Sequence, residues 1–85
     1  MNIKSEIFKK KLVYRAAYRG TKEMDILLSS FVNKYINLFN ENQLLELDKF
    51  LNFEDELILN FYHHNIIEKQ IDKNKVSIIF KDFKL

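Results

Sequence analysis

Arg19-Gly20-Thr21-Lys22-Glu23 contains the only glycine of an 85-residue chain that has no proline. With so little other backbone punctuation, this is where the chain most needs conformational freedom. Glycine reaches positive φ without steric cost, as a sharp helix-to-helix turn often requires. The segments on either side both carry helical periodicity, so the stretch reads as the corner between two helices. Its neighbours are charged, whereas a purely structural turn needs only polar residues.

Downstream of the corner, Thr21 is placed to cap a second helix by accepting from a free backbone N–H. Glu23 and Asp25 fall in its first turn, where the helix dipole favours negative charge. Met24, Leu27, Leu28, Phe31, Val32, Tyr35, Leu38 and Phe39 recur three and four residues apart, which predicts a helix from about Lys22 to Phe39 at the centre of the core. Upstream, Ser5 is a candidate cap for a first helix from about Glu6 to Tyr18. Ile7, Phe8, Leu12, Val13 and Ala16 mark its apolar side.

Beyond the second helix, Asn40 with Gln43 three residues on has the form of a capping box. Leu44, Leu47, Phe50 and Leu51 then supply a buried face. Asn52 is a candidate cap for a fourth helix that carries Glu54-Asp55-Glu56 in its first turn and buries Leu57, Ile58, Phe61 and Tyr62. His63, His64 and Asn65 end it. Asp72-Lys73-Asn74-Lys75 reads as a polar linker. Val76, Ile79, Phe80 and Phe83 fit a last short helix better than a strand, which would have no partner here. The expectation is an all-α, small single-domain bundle of about five short helices spanning residues 1–85.

Composition excludes several classes. Hydrophobic residues make up 47% of the chain and aromatic ones 14%, enough for a packed core. Without cysteine there is no disulfide, thiolate zinc site or thiol nucleophile. No apolar run of about 18 residues is present, so no membrane insertion is expected. The N-terminus is basic without an apolar region, so it is not a secretory signal; without a recognisable presequence the expectation is a bacterial cytoplasmic protein, a mitochondrial one with its presequence removed being the alternative.

The net charge of +2 hides an asymmetry. Met1 to Lys22 carries seven basic residues against Glu6 alone, and the rest carries seven against eleven acids. The first helix is thus a cationic arm suited to an anionic partner, whether nucleic acid, lipid or an acidic protein surface.

No constellation for chemistry stands out. Glu54, Asp55 and Glu56 are consecutive and fan around a helix end as a solvated turn. His63 and His64 point about 100° apart on a helix and lack the HExxH spacing of a metal site. A Ser–His–Asp order, a P-loop and a dinucleotide fingerprint are all missing. No catalytic, metal or cofactor-binding residue is assigned. At the corner, Gly20, Thr21 and Glu23 have structural explanations. Arg19 has only a weak one, an exposed ion pair with Glu23 across the bend.

The run Leu12-Val13-Tyr14-Arg15-Ala16-Ala17-Tyr18-Arg19-Gly20-Thr21-Lys22-Glu23-Met24-Asp25-Ile26-Leu27-Leu28, with Phe31 following, resembles the signature of the succinate dehydrogenase assembly factors, with its Arg-Gly-x-x-Glu core at Arg19, Gly20 and Glu23. Leu44 to Leu57 resembles the region of the family's third and fourth helices. Where the family often has Trp followed by Gly at the end of helix four, this chain has Phe61 and Tyr62.

The resemblance implies an assembly chaperone rather than an enzyme. It would bind the flavoprotein subunit of succinate dehydrogenase, of fumarate reductase or of both, and promote covalent attachment of FAD to that subunit. The FAD would belong to the partner, and the factor itself would be a monomer. The residues implied in partner binding are Arg19, Gly20 and Glu23, with Tyr14, Arg15, Tyr18 and Asp25 beside them. Gly20 would allow close backbone approach, and Arg19 would offer its donor fork to the partner. The alternative reading is a small basic helical nucleic-acid-binding protein that uses the first helix.

Overall fold

A computed structural model describes residues 3–85. They form five α-helices, α1 (Ile3–Ala17), α2 (Lys22–Tyr35), α3 (Glu41–Phe50), α4 (Asp55–His64) and α5 (Lys75–Lys81), with a single 3-10 turn at Ile71–Lys73. No strand occurs among the described residues. The expected all-α, five-helix architecture is the one observed.

Most helix ends follow local chemistry. Thr21 has extended backbone and its hydroxyl accepts from Met24 N, as a cap should. Asn40 and Gln43 close the reciprocal capping box at α3. Asn65 ends α4 in the left-handed conformation at φ 57°, a position asparagine tolerates better than most residues. Asn74, expected in a linker, caps α5 by accepting from Val76 N and Ser77 N. Its amide also donates to Glu46 O at 2.8 Å, and Lys75 N donates to the Glu46 carboxylate at 3.0 Å. The supposed linker therefore ties α5 to α3.

Other expectations are corrected. Ser5 lies inside α1 rather than ahead of it. α2 ends at Tyr35, so Ile36 enters the core and Leu38 is 72% exposed. On α1 the inward positions are Leu12, Ala16 and the buried Lys9, whose ammonium reaches Asn37 Oδ1, while Ile7 faces outward. Asn52 caps nothing. Glu54 occupies the cap position of α4 without a side-chain hydrogen bond, and Asn52 accepts instead from Arg15.

One continuous apolar core joins all five helices. Phe31 of α2 is fully buried at its centre, with the rings of Phe50 and Phe80 at 6.3 and 5.1 Å and that of Phe83 at 5.4 Å. Edge-on pairs of this kind stabilise beyond simple area burial. The chain end is fastened by the Tyr62 hydroxyl, which donates to Phe83 O at 2.6 Å. α1 packs along α2, and α5 against α3. The α1–α2 corner is thereby left at one end of the bundle, beside the loop from α3 to α4.

Candidate functional site

The corner is built on Gly20. Its φ of +120° lies in a region that L side chains rarely adopt, and nothing stands within 4 Å of where a Cβ would be. Glycine is needed here for the backbone path, and the space beside it is open. Asp25, one turn into α2, reaches back, and its Oδ1 accepts from both Arg19 N and Gly20 N, the latter at 3.3 Å. Two backbone N–H groups in the turn beyond α1 are thus satisfied by a side chain whose negative charge also suits the start of α2. Asp25 holds the turn.

Arg19 points into the protein. Its Nε donates to Asp55 Oδ1 at 2.8 Å, one terminal nitrogen to Leu51 O at 2.6 Å and the other to Phe53 O at 2.7 Å. The guanidinium fork thereby collects two carbonyls left unpaired near the end of α3 and a carboxylate at the start of α4. Its side chain is only 12% exposed. The expected ion pair with Glu23 does not form, and the donor fork that sequence reasoning assigned to a partner is engaged within the chain. Asp55 is likewise more than a solvated turn residue.

Arg15 makes a second tie one turn earlier. It binds the Asp48 carboxylate and donates to Asn52 Oδ1 at 2.7 Å. Its side chain is 34% exposed and that of Asp48 40%, so this tie is weaker than the first.

What faces outward is different. Glu23 is 64% exposed and lies 3.4 Å from His63 Nε2 on α4. Tyr14 and Tyr18 are 65% and 70% exposed, with ring centroids 4.6 Å apart. Together with Arg15, Arg19, Glu54 and Asp55 they line an open depression between α1 and the start of α4. The structure thus brings all seven sequence-predicted residues to one end of the bundle and divides their tasks. Arg19 and Asp25 are turned to internal partners, Arg15 in part. Gly20, Glu23, Tyr14 and Tyr18 form the accessible face.

Sequence reasoning missed Asp48, Asn52 and Asp55 as members of this site. The available signal was that three consecutive acids follow α3 while the first 22 residues carry an excess of cations. Among the described residues, no group of three His, Cys, Asp or Glu side chains could hold a metal ion. No helix there is long and apolar enough to cross a membrane.

The comparison with known proteins agrees with the motif at this corner. Residues 10–84 match the model of a family described as the flavinator of succinate dehydrogenase. The chain is 44% identical over 50 residues to a mitochondrial succinate dehydrogenase assembly factor 2 of Scheffersomyces stipitis, covering 59% of this chain and 34% of that protein. It is 47% identical over 47 residues to a mitochondrial assembly factor 2-A of Drosophila willistoni, covering 55% and 30%. The chain therefore spans about a third of the length of these relatives. Their names are mitochondrial, and they lend no support to a bacterial source. No solved structure matches. The family match runs through all five helices and includes the Gly20 corner, so the chain belongs to the succinate dehydrogenase flavinator family.

Proposed function

We propose that this protein is a non-catalytic assembly factor that binds the flavoprotein subunit of succinate dehydrogenase and promotes covalent attachment of FAD there. The cofactor stays with the partner throughout. The observation that carries this reading is the exposed Gly20 turn, held rigid from within. Asp25 fixes its amides and Arg19 anchors its base, while Gly20 and Glu23 remain open to solvent. A pre-shaped backbone corner can enter a partner's cleft without the entropic cost of ordering a loop on contact. In this account the factor stabilises the flavoprotein arrangement in which attachment proceeds, and no residue of the corner needs to act as acid, base or nucleophile.

The test is co-expression with the flavoprotein subunit, with covalent flavin read by in-gel fluorescence. The wild-type chain is expected to raise covalent flavin and Gly20→Arg to abolish the increase. Unchanged covalent flavin in the Gly20→Arg variant would remove the corner from the mechanism.

A further inference from the structure

The basic residues of α1 divide into two sets that the sequence alone does not separate. The inward set has partners within the chain: Lys9 reaches Asn37, Arg15 reaches Asp48, and Arg19 reaches Asp55. Lys4, Lys10 and Lys11 face solvent and have no ion pair among the described residues. Positions 4, 7, 11, 14 and 18 are three or four residues apart, so they run along one face of the helix and its immediate extension. Lysine thus alternates with Ile7, 49% exposed, and with the exposed Tyr14–Tyr18 pair. Lys10 flanks the line with the exposed Glu6 one turn before it, and the line itself contains no acid.

We infer that this outer face of α1, comprising Lys4, Ile7, Lys10, Lys11, Tyr14 and Tyr18, is a docking surface for a carboxylate-rich protein surface. The inference rests on the flavoprotein reading above and adds a second contact region with its own chemistry. Exposed tyrosines bring large contact area at low entropic cost and are enriched at protein interfaces. Unpaired lysines around them select for negative charge and speed encounter.

Two other anionic occupants fit less well. The apolar part is one isoleucine and two tyrosine rings, little for a helix that must sink into a bilayer. The stripe also runs directly into the depression bordered by Glu54 and Asp55, with Glu23 exposed beyond. A continuous phosphate lattice, on nucleic acid or membrane, would meet those carboxylates at the end of the helix. A protein surface can be acidic opposite the lysines and neutral or basic opposite the acids.

The experiment measures binding of the purified chain to the purified flavoprotein subunit by isothermal titration at about 0.05 M and about 0.5 M salt, where screening differs strongly. Lys10→Glu with Lys11→Glu is expected to weaken binding about tenfold at low salt and much less at high salt. Tyr14→Ala with Tyr18→Ala is expected to weaken it about tenfold or more at both. All four side chains are exposed, so circular dichroism should confirm that both variants remain folded. If both variants bind as the wild type does while Gly20→Arg fails, the partner docks at the corner alone and this inference is overturned with the functional proposal intact. If the wild type does not bind the flavoprotein, both fall. The inference is also overturned if the lysine variant loses binding only to phosphatidylserine vesicles or duplex DNA. A wild-type dimer, detected by light scattering and dissolved by the lysine variant, would overturn it as well.

Discussion

Replacing Arg19 with methionine keeps much of the side chain's length and removes its charge. In the wild type, one guanidinium makes three hydrogen bonds, two to backbone carbonyls of residues 51 and 53 and one to the Asp55 carboxylate. Hydrogen bonds to charged groups each contribute about 1.5–3 kcal/mol net. Simple addition overstates the loss, because Asp55 is 28% exposed and water can reach it once the arginine has gone. Removing one partner of a mostly buried pair costs about 3–5 kcal/mol when the other is left stranded. With Asp55 partly rehydrated, the expected loss is about 2–4 kcal/mol. That is a large share of the total for a domain of this size, whose stability lies toward the low end of about 5–15 kcal/mol. At about 4–8 °C per kcal/mol the melting temperature should fall by at least about 8 °C.

The assay is urea and thermal denaturation followed by circular dichroism, with Asp55→Asn and the double variant completing a cycle. A coupling of at least about 1 kcal/mol between the two residues is expected. Covalent flavin formation is then compared at a temperature where each variant is almost fully folded. If Arg19→Met leaves stability within about 0.5 kcal/mol of wild type, the internal strut is refuted. In that case a loss of flavinylation without a loss of stability would return Arg19 to the partner-binding face.

Further outcomes follow from the same contacts. Gly20→Ala should cost about 1–3 kcal/mol in a thermal melt, because φ +120° is strained for any L side chain although the space is open. Preserved flavinylation in the folded variant would show that Gly20 serves chiefly as a turn residue. Asn74→Ala removes the cap of α5 and the tie to Glu46 O, and should lower stability by about 1–2 kcal/mol by urea unfolding. Ser77 is fully buried and its hydroxyl has no partner among the described residues. Ser77→Ala should therefore raise stability by about 1 kcal/mol, and destabilisation would point to an ordered partner for that hydroxyl.

The motif at residues 19, 20 and 23 could be read from the chain, and the family match agrees with it. What it does physically was only partly legible. Gly20 and Thr21 act as local rules predict. Local rules mark Asp25 only as a dipole residue, because its acceptance from residues 19 and 20 depends on the turn bringing it back. Arg19 looked spare because its partners lie 32 to 36 residues away. Local rules mark His63 only as a helix end, and its approach to Glu23 spans 40 residues.

The sequence by itself determined the helix count and most helix boundaries, since caps and turns act over a few bonds. Thr21 reaches Met24, Asn40 reaches Gln43, and Asn65 and Gly20 adopt their backbone angles wherever the chain places them. It also determined the apolar faces, because burial follows the 3.6-residue period. Only the tertiary structure decided which charges face inward and which outward. Periodicity gives a helix face without its neighbour, and the neighbours here come from segments distant in the chain. Nothing local in the sequence marks Lys9, Arg15 and Arg19 as inward and Lys4, Lys10 and Lys11 as outward. Packing set the first three beside Asn37, Asp48 and Asp55 and left the other three to solvent. Desolvation is tolerable for a cation only where acceptors replace its water, and the fold alone fixes where those acceptors lie.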